Sequence, residues 1–353
     1  MTEHSRREAI RSEPGEPPRV RGLREALEAI GSPDARERFS VLGGEGVLVV
    51  GPVRERALGF DERARLRAAL ATLACPSVLL GAVAAEAPEV GAAFDVRVPT
   101  ADQLEELLGV VQAFPLASLA LVELLRRGEE RSVHEALLDE SLVYSTLQSG
   151  PEFAAWLAAR SPRKPPAAAS GPAVFVERRG SELRLRLNRP ERRNAFSAEM
   201  RDALCEALEL ALADSEIRKI ELSGAGPAFC SGGDLDEFGT LPDPATAHAI
   251  RSTRHAARLL AACAQRVRVR VHGACVGAGI ELPAFCGRVV AARDASIRLP
   301  EVGMGLVPGA GGTCSLPRRV GRQRCAWLAL CGRAIDAETA LRWGLVDALE
   351  SEA

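Results

Sequence analysis

From residue 173 onward, short runs of strand character alternate with stretches of helical period, and this alternation constrains the fold more than any other feature of the chain. Residues 173–178 and 183–187 read as two strands, the second with Leu183, Leu185 and Leu187 on one face. Ser197 stands where an N-cap is needed for a helix to about residue 212, with Met200, Leu204, Ala207, Leu208 and Ala211 on its apolar stripe. Residues 220–223 read as a short strand and 243–264 as mostly helical. Val267, Val269 and Val271 alternate with arginines, as in a strand with one buried face. The sum is an α/β fold with a helix-covered sheet.

The first half is organised differently. Residues 1–20 are charged and proline-containing and read as a mobile tail. Residues 21–160 read as a folded N-terminal domain. In it, 46–53 and 77–84 are apolar strands, 62–74 is a helix, and 101–160 is a helical segment. Residues 161–172 hold four prolines and little large apolar content, which marks a linker, so the second domain runs from 173 to 353.

Composition removes several classes of function. A net charge of −2 and 4% aromatic residues give no bulk case for nucleic acid. The N-terminus has no apolar signal region, and the most apolar stretch, 267–292, is broken by charged residues, so no membrane association is expected. Nine cysteines without a CxxC pair point to free thiols in a reducing cytoplasm and to no metal site.

Four segments carry candidate chemistry: RPERRNA (189–195), GPAFCSGGDL (226–235), HGACVGAGIEL (272–282) and LPEVGMGLVPGAGGT (299–313). Singly, each glycine run is a weak signal of tight turns, and none fits a P-loop or dinucleotide fingerprint. Small residues ahead of a helix leave backbone N–H groups free to meet a ligand oxygen, and two such loops converging would form an oxyanion hole. Glu281 and Glu301 follow the second loop and open the last segment. A carboxyl in so apolar a run as GIELPAF must pair or have its pKa raised.

In order and spacing these segments, with GRAIDAETALRWGLVDAL at 332–349, resemble the crotonase (enoyl-CoA hydratase/isomerase) superfamily. The resemblance implies a crotonase-like core of ββα repeats with a helical covering segment. It implies that the N–H groups of Gly233 and Ala278 hold a thioester oxygen, Ala278 standing where a glycine is common. It further implies that Glu281 activates water and Glu301 supplies a proton at C2. Asn194, Ala195, Phe229, Ser231, Gly232, Asp234, Leu235, Gly277, Pro308 and Gly309 would meet the CoA ester, although Asp234 reads more simply as a helix cap. His272 would support its loop. Arg318, Arg319, Arg322 and Arg324 read as an exposed helix face, and Cys230 and Cys275 as small buried hydrophobes. The implied activity is hydration of a trans-2-enoyl-CoA without a cofactor beyond the CoA of the substrate, in a homo-oligomer. Isomerisation, and a catalytically inactive CoA-ester-binding subunit, are the alternatives.

Family members usually continue past the segment matching 332–349 into helices that cover the acyl pocket. Here FDVRVPTADQL (94–104) resembles the family's link out of its core, and PLASLALVELLRRG (115–128), residues 132–144 and GPEFAAWLAA (150–159) resemble those helices, but ahead of the core. One expectation is therefore two tandem crotonase-like units, the first degenerate and lending its helices to the second. The other is an unrelated scaffold or partner-binding domain.

Overall fold

The computed structural model describes residues 18–53, 58–83, 88–160 and 171–350. The expected tail at 1–20 and linker at 161–172 lie almost wholly outside the described residues. The chain divides into two compact units, residues 1–126 and 127–353. The boundary therefore falls well before the proline-rich stretch at which the sequence alone would divide the chain.

The first unit is a four-stranded parallel sheet of β1 (Val20–Arg21), β2 (Leu48–Val50), β3 (Ser77–Leu80) and β4 (Val96–Val98), in that order. Helices α1 (Leu23–Ile30) and α2 (Phe60–Ala71) pack with it around Phe39, Leu48, Leu66, Leu79 and Phe94. The strands are shorter than 46–53 and 77–84 suggested, because their apolar character outlasts their ladder hydrogen bonds. Thr100 caps α3 (Ala101–Ala113) by accepting from Gln103 N–H at 3.4 Å, and α4 (Pro115–Gly128) follows. Arg126, near the end of α4, makes a buried 2.7 Å ion pair with Asp95.

The second unit begins with two helices that sequence reading assigned to the N-terminal domain, α5 (Val133–Gln148) and α6 (Pro151–Ala159). A capping box starts α5: Glu135 N–H donates to Ser132 Oγ at 3.2 Å, and Ser132 N–H to Glu135 Oε2 at 2.9 Å. An antiparallel hairpin follows, β5 (Val174–Arg179) with β6 (Glu182–Leu187). Then come α7 (Ala198–Ala213), β7 (Lys219–Gly224), α8 (Pro244–Thr253), α9 (Ala256–Ala262) and β8 (Val267–Val271). Ser197 caps α7 as expected, accepting from Met200 N–H at 3.2 Å, and the whole predicted apolar stripe is buried. Next are β9 (Ala274–Val276), α10 (Ala278–Glu281), β10 (Arg288–Ala291), β11 (Ser296–Arg298), α11 (Gly312–Val320), α12 (Arg322–Cys331), β12 (Ile335–Asp336), α13 (Ala337–Trp343) and β13 (Ala348–Leu349).

Two sheets result, in the orders β13-β10-β8-β7-β6-β5 and β12-β11-β9. Consecutive strands β8 and β9, and again β10 and β11, place one strand in each sheet, which is the ββα repeat the sequence implied. In β8 the three valines are buried and both arginines exposed, so alternation there did report the buried face. Among the described residues no single helix is long and apolar enough to cross a membrane.

Candidate active site

The two glycine-rich loops meet through a short parallel pairing of Cys230 with Cys275. Cys230 N–H donates to Ala274 O at 3.2 Å, and Val276 N–H donates to Cys230 O at 3.0 Å. Three residues further along each loop come Gly233 and Ala278, so the register itself brings them to one level. The approach needs glycine at 279, where a Cβ would overlap the Cys230 carbonyl. Among the described residues neither Gly233 N–H nor Ala278 N–H donates to a protein acceptor, and both residues line one cavity of about 180 Å³. Ala278 opens α10, so its N–H lacks a partner by helix geometry. A side chain at that position leaves the donor in place.

Glu281 and Glu301 line the same cavity. Glu281 is 2% exposed. Its Oε2 accepts from Ala310 N–H at 2.7 Å and Gly312 N–H at 2.8 Å. Glu301 Oε2 is buried and, among the described residues, has no hydrogen-bond partner. Burial, then the negative charge of Glu301 and of Glu140, hold the Glu281 carboxyl well above the carboxylate range. Burial pushes Glu301 from 4.5 up to about 8. Two carboxyls this close and this dry share their protons. Glu281 is the better equipped to carry the charge, with two N–H donors aimed at one oxygen; Glu301 is left to hold the proton.

Gly277, with φ of +50°, sits between them, and a Cβ there would overlap Glu301 Oε1. Gly277→Ala therefore combines backbone strain with displacement of the acid. It is expected to cost about 1–3 kcal/mol from the backbone alone and to depress turnover. A variant with unchanged thermal midpoint and turnover would show that the crowding is relieved without consequence.

Linkage gives a second check. Between pH 4.5 and about 8, folded Glu301 binds a proton that the unfolded chain has released. Its stabilisation is full below the lower value and is lost as pH rises through the upper one. Glu301→Gln cannot ionise, so its thermal midpoint should fall less than that of the native chain across this window. Parallel curves would show that Glu301 does not titrate there.

A third buried carboxylate braces the turn that Glu281 also holds, and it was not found by sequence reasoning. Glu140, on α5, is 1% exposed. It accepts from Gly311 N–H at 2.7 Å, Thr313 N–H at 2.9 Å and Thr313 Oγ1 at 2.6 Å. Four successive N–H groups, from residue 310 to 313, thus alternate between Glu281 and Glu140. Burial raises Glu140 to about 7, against the lowering effect of these donors. The available signal was its phase: Ala136, Leu137, Glu140, Ser141 and Leu147 form the buried face of α5, and an acid on that face calls for a partner. Beside it, the Tyr144 ring fills the space a Cβ on Gly309 would need.

The other expected contact residues divide. Gly309 lines the cavity, and Ala195, Gly232, Gly277 and Pro308 are next in sequence to lining residues, whereas Ser231 and Leu235 are each two positions from Gly233. Three do not offer side chains to a ligand; for Asn194 and Phe229 this corrects the sequence-based assignment, and for Asp234 it is the capping role preferred from the sequence. Asn194 is fully buried; its Oδ1 accepts from Arg189 N–H at 2.8 Å and its Nδ2 donates to Ala225 O and Ala228 O at 2.8 and 2.9 Å. Phe229 is in the core. Asp234 pairs with Arg192 at 2.8 Å and caps the following turn through Asp236 N–H. His272 Nε2 bonds Gly226 O at 2.9 Å, the supporting role anticipated. The run 318–324 is not simply an exposed face, because Arg319 donates to Ala284 O at 2.9 Å and pairs with Asp347 at 3.2 Å. Burial pushes the Cys230 thiol up to about 12 and Cys275 higher still, so neither is a nucleophile. Among the described residues no three His, Cys, Asp or Glu side chains are grouped to hold a metal.

Comparison with known proteins identifies the family of the chain. Residues 177–353 match the family described as Enoyl-CoA hydratase/isomerase, and the chain belongs to it. It is 39% identical over 168 residues to a 1,2-epoxyphenylacetyl-CoA isomerase of Escherichia coli, covering 46% of this chain and 64% of that enzyme. It is 36% identical over 173 residues to a 2,3-dehydroadipyl-CoA hydratase of the same organism, covering 49% and 67%. The chain thus spans less than two thirds of the isomerase's length. Among solved structures, an enoyl-CoA hydratase from Thermoplasma volcanium is 33% identical, with 52% of this chain and 73% of that one covered and a TM-score of 0.48.

Proposed function

We propose that this chain hydrates a trans-2-enoyl-CoA to a 3-hydroxyacyl-CoA. One observation carries the proposal: two N–H groups without acceptors and two carboxyls in different hydrogen-bonding states line a single cavity. The thioester oxygen sits between Gly233 N–H and Ala278 N–H, which stabilise the enolate as it forms. Each such donor is worth about 10²–10³ in rate. Ionised Glu281 takes a proton from water as the water oxygen bonds to C3. Protonated Glu301 gives its proton to C2. Water has then been added across the double bond, and the proton gained by Glu281 returns to Glu301 to reset the pair.

Loss of enone absorbance on mixing the full chain with 2-enoyl-CoAs of increasing length tests this. Turnover of at least one is expected; tight binding without turnover across the panel would favour an inactive CoA-ester-binding subunit. The family's description as both hydratase and isomerase supports a second reading. The same pair could carry a proton between C2 and C4, and supplying 3-enoyl-CoAs and identifying the product separates the two.

A further inference from the structure

Arg251, on α8, opens onto the same cavity and differs from the other arginines there. Arg201 pairs with Asp202 at 2.8 Å, and Arg254 pairs with Glu206 at 3.3 Å. Arg251 has no carboxylate partner among the described residues. Its Nε donates to Ser141 Oγ at 3.0 Å and its Nη2 to Ser141 O at 3.3 Å and to Ser145 Oγ. Its guanidinium lies over the Tyr144 ring, 4.8 Å from the centroid. Among the described residues Nη1 has no acceptor. Glu140, whose charge acts on it, already spends both oxygens on residues 311 and 313.

A half-buried guanidinium held on three sides and left unneutralised on the fourth is costly if its only task is to tie α8 to α5. An uncharged side chain could pack on Tyr144 without that cost. The held fork, with one arm free toward a cavity, is instead suited to a planar anion. Beside it His255 also lines the cavity, and among the described residues its side chain makes no capping hydrogen bond. Burial pushes its imidazole down to about 4, so it is a neutral hydrogen-bonding group. Tyr144 ties this corner to the reacting end, because its ring packs against Gly309, next to the Ala310 N–H that holds Glu281.

We propose that Arg251, with His255 beside it, forms a subsite for the distal carboxylate of the acyl chain, so that the substrate is an enoyl thioester ending in an anion. This deepens the hydration reading and rests on it for the position of the thioester. The phosphates of CoA share the same charge chemistry, so the test must separate the two sources.

The experiment uses the full chain and six- and eight-carbon 2-enoyl thioesters ending in a carboxylate, a methyl ester or a methyl group, each on CoA and on phosphate-free pantetheine. The carboxylate-ended substrates should show kcat/KM about 10–100-fold above the neutral ones, the size of one charge-assisted hydrogen-bonded contact. The ratio should be the same on pantetheine. Arg251→Met should bring it to within about threefold of unity, and Arg251→Lys should keep part of it. A ratio near unity in the native chain overturns the proposal, as does a ratio that vanishes on pantetheine, which would make Arg251 a reader of CoA phosphate. Saturated thioesters with the same endings, which cannot be hydrated, are compared by calorimetric Kd. Preference for the carboxylate there without turnover of any enoyl ester would sink the hydration reading and leave the subsite standing. Absence of preference with normal turnover would do the reverse.

Discussion

Glu301→Gln is expected to lower kcat for an enoyl-CoA by about 10²–10⁴, the usual contribution of a positioned acid or base, while CoA-ester binding survives. Glutamine keeps the shape and one acceptor but holds no transferable proton, and among the described residues Glu301 Oε2 has no hydrogen-bond partner that the amide would disturb. Glu281→Gln should cost as much by a different route. Its Oε2 faces two N–H donors, so an amide can satisfy them only with its oxygen, and the group that would take a proton from water is gone. The two losses should not add in the double variant, because acid and base serve one event. Steady-state kinetics with a separate binding measurement checks this. A single variant retaining more than about a tenth of native kcat would remove that carboxyl from the chemistry.

Removal of residues 1–165 should leave a fragment that is insoluble or inactive, although that fragment contains every residue sequence reading assigned to the chemistry. Helices α5 and α6 go with the deletion. Phe153 and Trp156 stack at 5.8 Å, and Trp156 lies 6.0 Å from Phe238. Leu157 packs on Gly239, and the backbone of Phe153 packs on Gly305. Losing Phe153, Trp156 and Leu157, three large side chains at about 1.5–3 kcal/mol each, takes away a large part of the 5–15 kcal/mol that holds a typical domain together. The turn at 310–313 also loses the acceptor for two of its N–H groups. Glu140→Ala in the full chain isolates that loss, at about 1–3 kcal/mol for each stranded group, and should lower both the thermal midpoint and kcat. Expression of residues 166–353 as a soluble, monodisperse, active protein would show the two helices to be dispensable.

What could be read in the sequence, and what could not, follows from how far each signal reaches. The glycine loops and both glutamates were legible because each needs a particular residue type at a fixed spacing, and the Ser197 cap because it is local. The role of Asn194 was misread. Its amide is consumed by three backbone partners, one of them 34 residues away, and no spacing announces that. Arg319 looked like an exposed charge for the same reason, since its carbonyl acceptor at Ala284 is 35 residues back. The unit boundary was displaced because proline content marks where a chain is pliant, whereas packing decides which unit a helix joins. Glu140 stood on an apolar helix face with nothing nearby in sequence to explain it.

The bonds from Glu140 to Gly311 and Thr313 span 171 and 173 residues. During synthesis α5 leaves the ribosome long before the turn it must grip, and that turn is complete only when residue 313 of 353 has been added. Closing so long a loop is slow, and a nascent chain in that interval carries the apolar flank of two helices with nothing yet to rest on. Chaperone dependence in the cell and slow recovery after denaturation are the natural consequences of placing the lid ahead of the vessel.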